Sequence, residues 1–130
     1  MLYSRQSAGG VRQLVERLRR AAERKRFGVL AVIDLKAKIA EKGVAFDRDC
    51  VIVELCNPRQ AAQVLRHDPA IATSLPCRIA VWADGSGGVT AATVRPAALL
   101  KMYAAAEPLP GVADEVENAL VAIIDEACAA

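Results

Sequence analysis

The chain has 130 residues, of which 54% are hydrophobic and 25% charged, and its formal net charge is +2 at pH 7. This composition predicts one globular domain with a full hydrophobic core, and no apolar run approaches the roughly 20 residues that cross a bilayer. The start of the chain lacks the apolar stretch of a signal peptide. We therefore expect a cytoplasmic protein, without a membrane partner, whose four cysteines are reduced.

Basic residues are concentrated between Arg19 and Arg26. Such a cluster can contact phosphates, but Glu16 and Glu23 interleave with it, and Glu16 stands four residues before Arg20, in the favourable order for a helical ion pair. Aromatic residues, which stack on single-stranded bases, make up 4% of the chain. The cluster therefore predicts a solvated helix face, and no nucleic-acid partner is expected.

The first third of the chain predicts two strands and two helices. Residues 3–7 form a short edge strand, and the uninterrupted apolar run at 27–33 predicts a central strand covered on both faces. Asp34 is placed to cap a short helix that stops at Gly43. Between the strands, helical spacing of apolar residues predicts a helix with one buried face: Val11, Leu14, Val15, Leu18 and Ala22.

The middle of the chain predicts a strand that leads directly into a helix. Alternating residues at 50–56 form the strand, with Val51, Val53 and Leu55 on one side. Asn57 is the expected N-cap, Pro58 the first helical residue and Gln60 the partner that completes a capping box. Asp68-Pro69 ends this helix.

The last part of the chain predicts a hairpin and two helices. Strands at 75–83 and 89–94 flank a glycine-rich loop. Pro96 opens a helix that continues to about Ala105, and Pro108 and Pro110-Gly111 break it. The final helix has one apolar face: Val112, Val116, Leu120, Ile123, Ile124 and Ala127. This order of elements predicts an α+β fold, a single two-layer domain over residues 1–130 with a mixed β-sheet packed against helices.

Two tripeptides stand out, Cys56-Asn57-Pro58 and Leu75-Pro76-Cys77. Together with Phe27-Gly28-Val29-Leu30, Asp34-Leu35-Lys36 and Asp68-Pro69, they resemble the family known as domain of unknown function 302. The resemblance covers most of the chain. It implies a small single-domain α+β protein that forms a homodimer, and it implies no established reaction.

Cys56 is the first candidate for chemistry, because the N–H groups of the helix that follows it would stabilise a thiolate. Cys77 shares a strand face with Ile79 and Val81, which favours burial. If the two strands are neighbours, Cys56 and Cys77 approach each other and become candidate thiols for a disulfide or a two-sulfur metal site. A small buried hydrophobe at a strand end is the alternative for each cysteine.

The remaining reactive side chains give weaker evidence of chemistry than the two cysteines. Glu54 shares a strand face with Cys56 and is expected to pair with Arg78, although a ligand contact is the alternative. His67, the one histidine, lies eleven residues after Cys56, or roughly 16 Å along a helix, so a Cys–His dyad within one subunit is not expected. The sequence contains no dinucleotide fingerprint, zinc-ligand spacing or serine-nucleophile motif. It therefore predicts no cofactor and favours a protein that is not an enzyme without deciding the question, and a soft metal at Cys56 and Cys77 stays an alternative.

Three functional hypotheses follow. The preferred one is a module that binds a small molecule or anion at the Cys56-Asn57-Pro58 turn, where Glu54 and Cys77 complete the candidate site. The second is a thiol-based redox, sulfur-handling or soft-metal protein that uses Cys56 and Cys77. The third is an interaction module whose C-terminal helix packs against a partner chain.

Overall fold

The computed structural model describes residues 1–103 and 109–129. Within them the chain forms five strands and five α-helices, with short 3₁₀ segments at Pro69–Ser74 and Leu100–Met102. The elements in chain order are β1 Leu2–Ala8, α1 Val11–Arg24, β2 Gly28–Asp34, α2 Leu35–Glu41, β3 Cys50–Cys56, α3 Pro58–His67, β4 Cys77–Ala83, β5 Gly88–Val94, α4 Pro96–Leu99 and α5 Leu109–Ala129.

The strands form one sheet in the order β1-β5-β4-β3-β2, and all four pairings are antiparallel. The predicted α+β class is confirmed, but the prediction of a mixed sheet is wrong. Helices between strands suggested crossovers to parallel neighbours. Instead, α2 and α3 each lead back to an adjacent antiparallel strand, and β1 pairs with β5 at the far edge of the sheet.

One face of the sheet lies against α1 and α5 and forms the core. The apolar stripes predicted for both helices are confirmed, since Leu14, Leu18, Leu120, Ile123 and Ile124 are at most 1% exposed. On the sheet side they meet the inward residues of the central strands, which are Val53, Leu55, Ile79 and Val81.

The burial of α5 bears on the predicted interaction module. Its apolar face, which would have bound a partner, belongs to the chain's own core. A partner would therefore meet the polar side of this helix, and removing the helix would expose the sheet rather than leave a folded core.

Strand β2 differs most from its prediction. It lies at an edge of the sheet rather than in the centre, and its side chains alternate in exposure. Leu30 is 61% exposed and Val32 40% exposed, and the register shifts between Val29 and Ala31. An apolar run without polar residues therefore marks an edge strand here, so the prediction of a strand covered on both faces is wrong.

The predicted ends of the short helices are largely confirmed. The Asp34 side chain accepts a hydrogen bond from the Ala37 N–H at 3.0 Å, and Gly43 follows α2 with φ +79°. Pro110-Gly111 does not break a helix but lies in the first turn of α5, where a proline has no helical N–H bond to lose.

The helix predicted from Pro96 to about Ala105 is too long, because α4 ends at Leu99, a 3₁₀ segment follows, and Tyr103 is already extended. The predicted break at Pro108 lies outside the described residues.

No helix in residues 1–103 and 109–129 combines the length and apolar character needed to cross a membrane.

Packing of α5 on the sheet predicts a large difference between two leucines. Leu120→Ala should lower the free energy of unfolding by about 2–5 kcal/mol, because it leaves a cavity in the core. The same change at Leu30, which is 61% exposed, should cost less than about 1 kcal/mol. Urea denaturation of both variants measures the difference, and equal losses would contradict the assigned core.

Candidate functional site

A cavity of about 130 Å³ lies where the end of β3 and the start of β4 meet α3, α4 and α5. Its apolar wall consists largely of core residues, among them Phe27, Val64, Leu100, Val112 and Val116. Because the wall is continuous with the core, the cavity favours an apolar occupant over water.

Contacts between α4 and α5 fix one side of this cavity. Glu117 of α5 accepts a hydrogen bond from the Ala97 N–H at 3.2 Å and pairs with Arg95 at 3.6 Å. These contacts hold Pro96 and Leu99 of α4 at the cavity wall. On the other side, the Tyr103 hydroxyl lies 2.5 Å from Ser74 Oγ, which ties the two 3₁₀ segments together beside it.

Three of the five predicted site residues line this cavity: Cys56, Asn57 and Cys77. Pro58 and Glu54 are not part of its wall. Pro58 is exposed at the start of α3, and Glu54 instead pairs with Arg78, which does line the cavity.

Asn57 caps α3 as predicted. Its Oδ1 accepts hydrogen bonds from the N–H groups of Arg59 (3.1 Å) and Gln60 (3.2 Å), and the Asn57 carbonyl accepts one from Ala61 at 2.9 Å. Pro58 has no N–H. The first-turn donors that were expected to receive an anion or stabilise a Cys56 thiolate therefore already have acceptors within the turn.

Gln60 has a role that the sequence did not predict. Its side chain does not complete a capping box with Asn57; its Nε2 donates instead to Glu115 Oε2 on α5 at 2.9 Å. Its Oε1 is buried and has no hydrogen-bond partner within the described part of the chain, in a residue that lines the cavity. Helical spacing could have predicted that Gln60 points inward, because it stands four residues before the buried Val64 and lies on the same face of α3.

Cys77 is a partly buried thiol. It lies opposite Leu55 in the β3–β4 register and packs against the core, on the face of Ile79 and Val81 as predicted. Burial, with a smaller contribution from the nearby Cys56, raises the pKa of the Cys77 thiol from 9.0 to about 11. Near pH 7 this side chain is a neutral, weakly polar part of the cavity wall.

The two cysteine-bearing strands are neighbours, because β3 pairs with β4, a point that the sequence left open. Cys56 and Cys77 both line the cavity. All four cysteines, including Cys50 and Cys128, are free thiols. Among the described residues, no group of three or more His, Cys, Asp or Glu side chains is placed to hold a metal ion.

The Glu54–Arg78 ion pair is confirmed, with Arg78 Nε 3.0 Å from Glu54 Oε2. The Glu54 side chain is 16% exposed and the Arg78 side chain 57% exposed. The pair neutralises the charge nearest the cavity. His67, by contrast, is exposed at the far end of α3 and does not line the cavity.

A family model described as Domain of unknown function DUF302 matches residues 3–127. The chain belongs to this family. A DUF302 crystal structure supports the assignment: that of an uncharacterized conserved protein from Bacillus stearothermophilus, which is 31% identical and superposes with a TM-score of 0.88. The match covers 98% of this chain and 97% of the other. No curated protein matches the sequence significantly.

The cap at Asn57 can be tested by two substitutions. Asn57→Ala should lower the free energy of unfolding by about 1 kcal/mol, because the N–H groups of Arg59 and Gln60 lose their acceptor. Asn57→Asp, which keeps an oxygen in the same place, should stay close to the wild type. Chemical denaturation distinguishes the two, and an Asn57→Ala variant as stable as the wild type would show that the cap contributes nothing.

The raised pKa of Cys77 predicts a loss of stability at high pH. The thiol ionises near pH 9 in the unfolded chain and near pH 11 in the folded one. The stabilisation that this difference gives the folded protein is therefore complete below pH 9 and is lost as the pH rises towards 11. The loss should reach about 2 kcal/mol by pH 11. The free energy of unfolding should therefore fall less steeply between pH 9 and pH 11 in Cys77→Ala than in the wild type. Identical slopes would contradict the buried thiol.

Proposed function

We propose that this DUF302 protein binds a small, mostly apolar molecule in the cavity beside the Cys56-Asn57-Pro58 turn. The observation that carries the proposal is an apolar cavity with one unpaired buried acceptor, Gln60 Oε1. Binding sites typically combine an apolar lining with a few polar groups that orient the ligand. A ligand that donates a hydrogen bond to Gln60 would satisfy both features.

The cavity volume limits the ligand. About 130 Å³ is close to the roughly 150 Å³ of an apolar cavity that takes up benzene. It is smaller than the roughly 300–1,000 Å³ of most ligand pockets. We therefore propose an aromatic ring or a short branched chain with one hydrogen-bond donor.

The charges near the cavity favour a neutral ligand over an anion. Arg78, the cation on the wall, is paired with Glu54 at 3.0 Å. The N–H groups of the α3 first turn are held by Asn57. An anion would have to displace both sets of contacts, whereas a neutral donor needs only Gln60.

Thiol chemistry is the second candidate function, because Cys56 and Cys77 line the same cavity. A redox or sulfur-handling role would be carried by Cys56, which is half-buried at the end of β3 and shares the cavity wall with the half-buried Cys77. Iodoacetamide labelling tests this role. Labelling of Cys56 in the native protein faster than a free thiol near pH 7 would support it, and labelling that requires denaturant would exclude it.

We also propose that two copies associate, as the family resemblance implies, and that the protein works in the cytoplasm. Support for a reducing compartment comes from the four free cysteines.

Binding can be measured with benzene and phenol as probes. Either ligand at about ten times its Kd should stabilise the wild type by about 1.4 kcal/mol, which raises the Tm by about 5 °C. Phenol should bind more tightly than benzene because its hydroxyl donates to Gln60, and this preference should disappear in Gln60→Leu.

Two neighbouring alanines of α3 provide a matched control. Ala61 lines the cavity and Ala62 does not. Ala61→Phe should fill the cavity and abolish the Tm shift, whereas Ala62→Phe should keep it, with circular dichroism confirming that both variants fold. Absence of a shift in the wild type, or its persistence in Ala61→Phe, would refute binding in this cavity.

A further inference from the structure

The Gln60 side chain links α3 to α5, two of the helices that form the cavity wall. Its Nε2 donates to Glu115 Oε2 at 2.9 Å, while its Oε1 is buried without a hydrogen-bond partner among the described residues. Glu115 itself is exposed and is not part of the wall. It lies on α5 between Val112 and Val116, two buried residues that do line the cavity. Glu115 is therefore placed to act on the cavity through Gln60 rather than by touching a ligand.

The chemistry of the Glu115 carboxylate decides which way the Gln60 amide points. The two ends of a side-chain amide are nearly equal in size, so their hydrogen-bond partners fix the orientation. An ionised carboxylate has lone pairs and no hydrogen to donate, so it attracts the NH₂ end of the amide and repels the oxygen. A hydrogen bond to a charged group is also stronger than one between neutral groups. The oxygen is consequently the end that is left without a partner.

We propose that Glu115 sets the ligand specificity of the cavity, an inference that rests on the binding function proposed above. With Glu115 in place, Gln60 presents a hydrogen-bond acceptor, so the cavity selects uncharged ligands that donate, such as phenols, alcohols and N–H heterocycles. A ligand of the same size that can only accept, such as a ketone, a nitrile or pyridine, leaves Gln60 Oε1 unpaired and brings a second lone pair close to it. Glu115 is a positioning residue in this scheme.

Other polar side chains of the wall already have partners. Asn57 Oδ1 accepts two N–H groups of α3, and the buried Thr93 hydroxyl donates to the Arg78 carbonyl at 2.7 Å. The apolar part of the wall does not distinguish a ligand that donates from one that accepts. The discrimination therefore depends on the Gln60 amide, and we expect it to reach about tenfold or more.

Phenol and pyridine measure this discrimination, because both are single six-membered rings. At mildly alkaline pH pyridine is neutral and only accepts, whereas phenol donates. Isothermal titration calorimetry gives both Kd values, and their ratio is compared between variants so that differences in ligand hydration cancel. In Glu115→Lys the ammonium should donate to Gln60 Oε1 and direct the NH₂ group to the cavity. The preference for phenol over pyridine should then fall by about tenfold or more.

Asp114→Lys is the matched control. Asp114 precedes Glu115 on α5, is exposed and does not line the cavity. The charge change is the same, so a general effect of charge on α5 would alter both variants equally, whereas we expect the wild-type ratio in Asp114→Lys. Glu115→Gln keeps the size of the side chain and can donate or accept, so its ratio should lie between those of the wild type and Glu115→Lys. It also provides the test if Glu115→Lys fails to fold.

The orientation of the Gln60 amide can be measured without any ligand. The side-chain amide proton that Gln60 donates to Glu115 should resonate downfield in NMR spectra of the wild type and Asp114→Lys, and should move upfield in Glu115→Lys and Glu115→Gln. A resonance that these two substitutions leave unchanged would overturn the role of Glu115.

The calorimetric results separate this role from the binding function itself. A wild type that binds neither phenol nor pyridine would refute both proposals. A wild type that binds phenol, with a ratio that the Glu115 variants leave unchanged or that Asp114→Lys alters equally, would refute the role of Glu115 and leave the cavity as a binding site.

Discussion

The structure depends on the packing of α1 and α5 against one face of an antiparallel sheet. Leu14 and Leu18 from one helix and Leu120, Ile123 and Ile124 from the other are buried against the central strands of this face. The same arrangement leaves a gap at the end of β3 and the start of β4, where α3, α4 and α5 converge but do not fill the space between them. The cavity therefore follows from the way the helices pack on the sheet.

The β3–α3 turn connects this architecture to the proposed chemistry. Asn57 fixes the start of α3 through two side-chain hydrogen bonds, and the resulting helix phase directs Gln60 and Val64 to the cavity. Because the cap uses the N–H groups of the first turn, the turn is not an anion site in this conformation. Burial keeps Cys77 protonated. The site therefore combines apolar walls with neutral polar groups, which suits binding of an uncharged molecule better than covalent catalysis.

Local patterns in the sequence predicted much of this structure, because they depend on local physics. Helical periodicity located α1 and α5, the Asn57-Pro58 pair located the start of α3, and alternation along β3 predicted the Glu54–Arg78 pair. Local sequence patterns could not predict the order of the strands in the sheet. An apolar run looks the same in a central strand and in an edge strand, so β2 was misplaced, and helices between strands suggested parallel neighbours that do not occur. The cavity could not be predicted either, since α3, α4 and α5 are distant in sequence and only their packing defines its volume.

The proposed binding of apolar molecules in this cavity is tested most directly by the uptake of xenon. Crystals of the protein pressurised with xenon should show one strong anomalous peak among Ala61, Val64 and Leu100, because xenon enters dry apolar cavities of this size. The peak should be absent from crystals of Ala61→Phe. A wild-type cavity without xenon, or one that contains ordered water bound to Gln60 Oε1 in its place, would contradict the account.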